Sequence, residues 1–272
     1  MKFQAGFCPK EARTLLSLCT SPFPPTESKK RSFYPEMLKN WETITRFAST
    51  ESNMSAEIGK SPGSPYYLVF RAEEYSEKNI KEDVEINISH AKDYALDPSA
   101  RVQRGFRNQF ESLAPLLVKW LEILSQHGPM DLYLVGHGRG AALATLCMAW
   151  LKIQRNFSYP IGVKTYLFGA PRVGNSFFVR ELHEKHEARK WCFNIRHSRD
   201  LIPFLPLGPL MNPTKARPLF CFKDVGELIF LKGELNIHGT TLTGTFSRHR
   251  VHWYAHYLKQ QFKSTKDLGF LD

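Results

Sequence analysis

A buried strand that breaks at a glycine and turns directly into a helix limits the folds open to this chain. Residues 132–135 form a continuous apolar run, and Gly136, Gly138 and Gly140 follow it where a helical pattern begins. Glycines on both sides of such a turn let the strand and the helix approach closely, while the middle residue takes strained backbone angles. A lone Gly-x-x-x-Gly would be weak evidence, but its place between a buried strand and a helix makes it specific.

Buried strands alternate with helical patterns over most of the chain. Continuous apolar runs rich in β-branched and aromatic residues predict strands, and apolar residues at helical spacing predict helices. The predicted strands cover residues 66–70, 132–135, 163–168 and 191–196, and the predicted helices cover 106–124, 139–155 and 175–188. This alternation is typical of an α/β fold with a mostly parallel central sheet and helices on both faces.

The flanking segments predict further elements of the same domain. We expect helices over 9–20, 35–50 and 247–263, a polar loop over 50–65 and a hairpin over 218–233. The apolar content of 42% is enough for one large core. We therefore predict a single domain over residues 1–272, in which residues 1–60 form an N-terminal extension of helices and loops.

The chain carries no obvious signal for export or membrane insertion. The apolar stretch near the N-terminus is short and follows charged residues, and no run of about 18 apolar residues occurs. Five widely spaced cysteines without CxxC spacing argue against a disulfide framework and a zinc site. We expect a protein without a transmembrane segment that is cytoplasmic, or exported by a route that leaves no recognisable signal peptide.

The formal net charge of +11 bears on the surfaces this protein could contact. An excess of this size favours anionic partners, such as phospholipid headgroups or nucleic acid. The basic residues are spread along the chain, and none of the clusters has the pattern of a nucleic-acid-binding motif. Two interpretations stay open, a solvated basic face and a patch attracted to an anionic membrane surface, and nucleic acid is not expected as a partner.

Four sequence blocks carry a resemblance to a known family. They are Val102–Phe106, Gly136–Ala144, Phe168–Asn175 and Arg199–Pro206. They resemble the blocks of the class 3 (fungal-type) lipases of the α/β-hydrolase superfamily, whose elbow reads Gly-His-Ser-x-Gly-Gly-Ala-Leu-Ala. The third block, Phe-Gly-Ala-Pro-Arg-Val-Gly-Asn, matches the family without a change and is the most specific. The ordered matches run over residues 66–258, which we expect to be the family-like core.

The resemblance implies a catalytic site made of three residues in chain order. Gly138 stands at the nucleophile position, where the family has serine, Asp200 is the acid that orients the histidine, and His249 is the histidine. His252 and His256 are neighbours of His249 that fit the family pattern less well. The order of nucleophile, acid and histidine is that of α/β-hydrolases. Neither a cofactor nor a metal is expected, because the serine-hydrolase mechanism needs none.

The resemblance also implies an oxyanion hole, formed by Ala72, Glu73 and Arg139. The family reads Phe-Arg-Gly-Thr after its oxyanion strand, whereas this chain reads Phe-Arg-Ala-Glu. A carboxylate at Glu73 would repel the negative charge that such a hole stabilises. Arg139 stands where the family usually has leucine, and we expect it on the helix surface. By position, residues 76–95 resemble the lid that these lipases open at an interface.

Gly138 removes the group that would attack an ester. Acyl transfer needs a hydroxyl activated by an imidazole, and loss of the nucleophile costs on the order of a millionfold in turnover. Cys147 lies more than two helical turns past the elbow and cannot replace it. Two explanations compete: an engineered Ser→Gly change, and a natural loss in which glycine relieves strain at the elbow. Glu73 is a further departure from the family pattern, and so is Gln103, where the family often has histidine. Together these departures favour natural loss.

Three functional hypotheses follow. The first is a scaffold for hydrolysis of carboxylic esters in acylglycerols or phospholipids, involved in lipid metabolism and inactive or nearly so as written. The second is a non-catalytic module that binds lipid or protein. The third is slow hydrolysis by a water that His249 and Asp200 activate. A lipid or ester is the expected partner, and the oligomeric state is not predicted.

Overall fold

A seven-stranded, mostly parallel sheet forms the centre of the described structure. The computed structural model describes residues 3–19, 40–49, 52–72, 88–153, 157–206, 222–232 and 249–262. The helices are α1 Pro9–Ser17, α2 Arg104–Ser125, α3 Arg139–Ile153, α4 Ser176–Glu184, α5 Ala188–Trp191 and α6 Val251–Gln261. The strands are β1 Glu42–Ala48, β2 Met54–Lys60, β3 Tyr66–Ala72, β4 Ile88–His90, β5 Arg101–Gln103, β6 Met130–His137, β7 Ile161–Phe168, β8 Gly174–Asn175, β9 Cys192–His197, β10 Phe222–Lys223 and β11 Glu227–Leu231.

The strand order places the glycine-rich turn near the middle of the sheet. The order is β1-β2-β3-β6-β7-β9-β11. Strands β3, β6, β7, β9 and β11 run parallel, and β1 and β2 are antiparallel additions at one edge. Because the carboxyl ends of parallel strands meet at one edge of the sheet, the residues after β3, β6, β7 and β9 are brought together. The predicted mostly parallel central sheet with helices on both faces is confirmed.

A smaller antiparallel sheet lies beside the large one, with the order β10-β8-β5-β4. Asn175 ties its parts together: its side-chain oxygen accepts from the amides of Arg101 (3.0 Å) and Phe178 (3.1 Å). Its side-chain nitrogen donates to the carbonyl of Ser99 at 3.0 Å. The last residue of the most specific sequence block therefore caps α4 and fixes the chain before β5.

Two apolar cores cover the two faces of the large sheet. One contains buried residues of α2 and α3, and the other contains buried residues of α1 and α6. The strands alternate between the cores: Leu134 belongs to the first and Val135 to the second, and both are fully buried. A parallel sheet covered on both faces reads as a continuous apolar run, which explains why these strands were predictable.

Helix α1 docks on the sheet through polar contacts as well as apolar ones. The Glu11 carboxylate accepts from the ammonium group of Lys164 at 2.7 Å and from the hydroxyl of Tyr166 at 2.6 Å, and Lys164 is fully buried. Phe7 packs edge-on against Phe193 and lies 5.8 Å, between ring centroids, from Phe262 after α6. The N-terminal segment thus contacts both β7 and the end of α6.

The helix predicted over 35–50 and the loop predicted over 50–65 are wrong where the structure describes them. Residues 42–48 and 54–60 are β1 and β2, which pair with each other and with β3, so the segment 1–60 is not only helical and loop. Strand β2 carries the charged residue Glu57, which is 1% exposed and is stabilised by polar partners on the neighbouring strands. Its carboxylate accepts from Thr43 at 2.7 Å and Arg71 at 2.8 Å. Such partners let a charged residue occupy a strand that hydrophobic periodicity alone does not reveal.

The hairpin predicted over 218–233 is also wrong. Strand β10 pairs with β8 in the small sheet, whereas β11 pairs in parallel with β9 in the large sheet. Gly226, with φ of +84°, lies between them. A Cβ there would lie 2.4 Å from the Cys192 carbonyl oxygen, so the turn is pressed against β9 and directs the chain to another sheet.

The lid predicted over 76–95 lies partly outside the described residues, which resume at 88. Residues 88–90 form β4, and Ala91, Tyr94 and Ala95 are buried in the core, so this part does not form a lid. None of the described helices combines the length and the apolar content needed to cross a bilayer.

Candidate active site

Gly138 forms the turn between β6 and α3 in a left-handed backbone conformation, with φ of +56°. Its amide donates to the Phe168 carbonyl at 2.8 Å, which holds the turn against the end of β7. The flanking glycines are needed for close approach. A Cβ on Gly136 would lie 2.3 Å from the carbonyl of Gly140, and a Cβ on Gly140 would lie 2.3 Å from the carbonyl oxygen of Phe70. This is the geometry of a nucleophile elbow.

Asp200 and His249 meet beside the elbow, as the sequence predicted for an acid and its histidine. Nδ1 of His249 lies 2.6 Å from Oδ2 of Asp200, and both residues are buried. The hydroxyl of Tyr254 donates to the same carboxylate oxygen, and the amide of Ile202 donates to Oδ1 at 2.9 Å. The carboxylate is therefore bound through both oxygens.

The charge state of Asp200 fixes the tautomer of His249. Burial by itself would raise the pKa of the Asp200 carboxyl, but the charge of His249 and the hydrogen bonds from His249 and Tyr254 outweigh burial. The pKa consequently lies below its ordinary value, and the carboxylate stays ionised at neutral pH. An ionised carboxylate is an acceptor only, so Nδ1 of His249 carries the proton and Nε2 is the basic nitrogen. A serine triad uses this tautomer.

His137, the residue before Gly138, stacks on the ring of His249. Their ring centroids are 4.4 Å apart with 30° between the planes, and His137 also meets Tyr254 edge-on at 5.5 Å. Burial, followed by the charge of His249, lowers the pKa of His137 to about 3. His137 is thus a neutral ring at physiological pH. No sequence pattern had predicted a role for this residue.

Gly169 lies directly against the His249 and Asp200 pair. Its φ is +61°, and a Cβ there would lie 2.6 Å from the Tyr254 hydroxyl, 2.7 Å from Cε1 of His249 and 3.0 Å from Oδ2 of Asp200. The glycine of the Phe-Gly-Ala-Pro block therefore leaves the space that the pair fills. Its place in that block was the available signal.

The predicted oxyanion residues are only partly described. Ala72 ends β3, and the contact of Gly140 with Phe70 brings this strand against the elbow. Glu73 lies outside the described residues. Arg139 begins α3 and is 2% exposed, so its expected place on the helix surface is wrong. The tight turn directs the first residue of α3 inward. The oxyanion hole itself stays a prediction.

The other histidines of the C-terminal helix are not part of the Asp200 cluster in the described structure. His252 and His256 are exposed on α6, and both contact the ring of Trp253. His249 therefore fits the role of the site histidine, while His252 and His256 do not. Gln103, a departure from the family pattern, accepts from the Phe106 amide at 2.6 Å and so caps α2.

Comparisons of sequence agree with this geometry. The profile of the family described as lipase (class 3) matches residues 67–209, more than half of the chain. Secreted mono- and diacylglycerol lipase A of Penicillium cyclopium is 34% identical over 147 residues, which are 52% of this chain and 46% of that protein. Phospholipase A1-II 1 of Oryza sativa subsp. indica is 30% identical over 89 residues, 33% of this chain and 22% of that protein. The matches thus span about half or less of these relatives.

Solved structures show the same fold. The triacylglyceride lipase of Rhizomucor miehei superposes with a TM-score of 0.61 at 18% identity, covering 84% of this chain and 82% of that one. A Penicillium cyclopium lipase variant superposes with a TM-score of 0.58 at 20% identity, covering 86% of this chain and 80% of that one. At these identities the likeness is one of fold.

Proposed function

Since this chain belongs to the class 3 lipase family, we propose that it is a lipid ester hydrolase scaffold that no longer forms an acyl-enzyme. One observation carries the proposal. The acid and histidine are joined at 2.6 Å beside the elbow, and the elbow residue is Gly138, which has no hydroxyl. Turnover with the chain as written is absent or nearly so, because the covalent step has no nucleophile.

The substrate class is a carboxylic ester of an acylglycerol or a phospholipid. The proposal is supported by the family and by relatives whose names specify mono- and diacylglycerol lipase and phospholipase A1. The net charge of +11 supports approach to an anionic membrane surface, where such esters are presented. Attraction of this kind weakens as salt is added.

The residues that remain have definite chemical abilities. Asp200 holds His249 in the tautomer with a basic Nε2, so the imidazole can accept a proton from a nearby hydroxyl or water. Without a nucleophile, binding and an oxyanion hole together leave about 10³- to 10⁴-fold acceleration over water in a serine hydrolase. Water activated by His249 would give at most trace hydrolysis, and that trace would vanish in His249→Ala.

A second function is favoured by the way the Asp200 carboxylate is held. Both of its oxygens accept hydrogen bonds, one from the nearby Ile202 amide and the other from His249 and Tyr254 of the C-terminal segment, although no serine is present for the pair to activate. A buried carboxylate that is bonded in this way stabilises the fold whether or not it catalyses. The alternative is therefore a pseudoenzyme that binds lipid or protein without turnover.

The test compares the chain as written with Gly138→Ser and Gly138→Ala in p-nitrophenyl ester hydrolysis. Serine adds the nucleophile, and alanine adds only the Cβ at the same strained φ, so alanine is the matched control. We expect Gly138→Ser to raise turnover by at least 100-fold over the other two proteins, within the range that a triad nucleophile supplies. Asp200→Asn in the serine background should remove most of this gain.

Silence of Gly138→Ser, with circular dichroism that shows it folded, would contradict the hydrolase proposal. Binding is then the function to measure. Native mass spectrometry with a long-chain monoacylglycerol, with and without vesicles that contain anionic phospholipid, distinguishes a lipid-binding module from a protein-binding one. Retention of the lipid supports the first, and its absence in both conditions leaves the second.

A further inference from the structure

We propose that His137 is the positioning residue of this site, and that its ring holds the His249 ring against Asp200. The inference deepens the proposed function and rests on the Asp200 and His249 pair being the remnant of an ester hydrolase. His137 is not part of the nucleophile, acid and histidine relay, and it contacts the ring rather than a substrate. Its role is therefore indirect.

The contacts of His137 fix the His249 ring from a side that Asp200 does not reach. Asp200 meets the edge of the ring at Nδ1, whereas His137 covers its face, with 4.4 Å between ring centroids. His137 also meets the ring of Tyr254 edge-on, with 5.5 Å between ring centroids. One edge contact leaves an imidazole able to swing about its χ angles, and a contact across its face restricts that motion.

His137 lies on a more rigid part of the fold than the two residues it helps to position. His249 precedes α6, and Asp200 follows β9, so both belong to segments that join regular elements. His137 is the last residue of β6, a strand paired on both sides within the sheet. His137 therefore belongs to a rigid element, and its contact with His249 sets the position of His249 relative to the elbow.

Burial keeps the ring of His137 neutral, and the groups that face it are compatible with that state. Asp200 is negative, Tyr254 is a neutral hydrogen-bond donor, and His249 and His197 are imidazoles. Two stacked imidazolium ions at this distance would repel strongly in a buried site. A neutral ring at His137 can therefore stack on His249 while Asp200 bonds Nδ1 of His249.

The first arm of the test is NMR of the chain labelled with ¹⁵N-histidine, and it needs no catalysis. The variants are His137→Ala, which removes the ring, and His137→Phe, which keeps a stacking ring. His127→Ala, at an exposed histidine on the loop after α2, is the control for loss of a histidine. His249→Gln assigns the downfield proton shared between Nδ1 and Asp200.

We expect the shared proton to be visible and slow to exchange in the unaltered chain and in His127→Ala. In His137→Ala its exchange should quicken by at least about 10-fold, the size of effect expected when a ring loses its orienting contacts. His137→Phe should restore most of the protection. An unchanged resonance in His137→Ala, in a protein that circular dichroism shows folded, would overturn the proposal.

The second arm uses Gly138→Ser as the background. If serine restores turnover, adding His137→Ala should lower kcat by roughly 10- to 100-fold with KM changed by no more than about twofold, since orientation rather than binding is lost. An equal kcat would overturn the positioning role. If Gly138→Ser is silent, the hydrolase proposal fails while the NMR arm still decides the role of His137, so the two failures are distinguishable.

Discussion

Glycine at position 138 changes the elbow at the scale of a single backbone angle. In this family the same turn holds a residue with a side chain, and a left-handed φ costs such a residue of order 1–3 kcal/mol. At Gly138 the φ of +56° is ordinary for glycine, so the turn is kept while its strain is gone. The structure thus supports the hypothesis of a relaxed elbow.

Gly169 should be the least replaceable glycine of the site. In Gly169→Ala the new Cβ meets Tyr254, His249 and Asp200 at 2.6–3.0 Å and also occupies a left-handed φ. We expect the free energy of unfolding, measured with urea, to fall by roughly 3 kcal/mol. Gly63→Ala is the matched control, because Gly63 has φ of +71° and nothing within 4 Å of a Cβ. It should lose only about 1 kcal/mol, and equal losses for the two variants would refute the crowding argument.

His137 should make stability depend on pH. The folded state holds its pKa at about 3, while the unfolded chain has an ordinary value of about 6.5. Below about pH 6.5 the unfolded state binds a proton that the folded state rejects. Stability therefore falls as pH drops, by up to about 1.4 kcal/mol per pH unit from this group.

The measurement is urea unfolding from about pH 7 to about pH 4.5 for the unaltered chain and His137→Phe. The phenyl ring cannot titrate, so the variant should lose less stability than the unaltered chain as pH falls. Parallel curves for the two proteins would show that His137 does not carry this proton linkage.

At the scale of elements, the side chain of Asn175 connects the segment before β5 with the start of α4. Asn175→Ala removes an acceptor for two backbone amides and a donor to the Ser99 carbonyl, all in a residue that is 2% exposed. We expect a loss of about 2–3 kcal/mol in urea unfolding. Asn175→Asp keeps the oxygen that caps α4 and should lose distinctly less. A loss as large as that of alanine would mean that the Ser99 contact, rather than the cap, dominates.

The elements that could be predicted from the sequence share one property. Strands β3, β6, β7 and β9 are buried on both faces and have apolar runs. Of the site residues, Asp200 lies in a family block, and His249 follows from the chain order that the resemblance implies. Strands β1 and β2 were missed because β2 carries a buried charge that is paired with a residue on another strand, here Glu57 with Arg71. His137 was missed as a contact of His249 because a stacking partner 112 positions away along the chain leaves no periodic pattern.

At the scale of the whole molecule, we propose that residues 1–272 form one domain. The two apolar cores share one sheet, and adjacent residues of β6 point into opposite cores. Leu134→Ala and Leu258→Ala remove matched, fully buried side chains, one from each core. Each should lower stability by about 2–5 kcal/mol and shift the same single calorimetric transition. A second transition that moves in only one variant would indicate separate units.

The docking of α1 through Glu11 has a consequence for how the protein is made. Lys164 and Tyr166 follow Glu11 by 153 and 155 positions, and Phe262, the neighbour of Phe7, comes later still. At roughly 5–20 residues per second, a ribosome needs about 8 to 30 s to supply the first of these partners. Helix α1 therefore leaves the ribosome long before its binding surface exists. Its apolar side, with Leu15 and Leu16, lacks these partners for that interval, so we expect the docking of α1 to be a late step in folding.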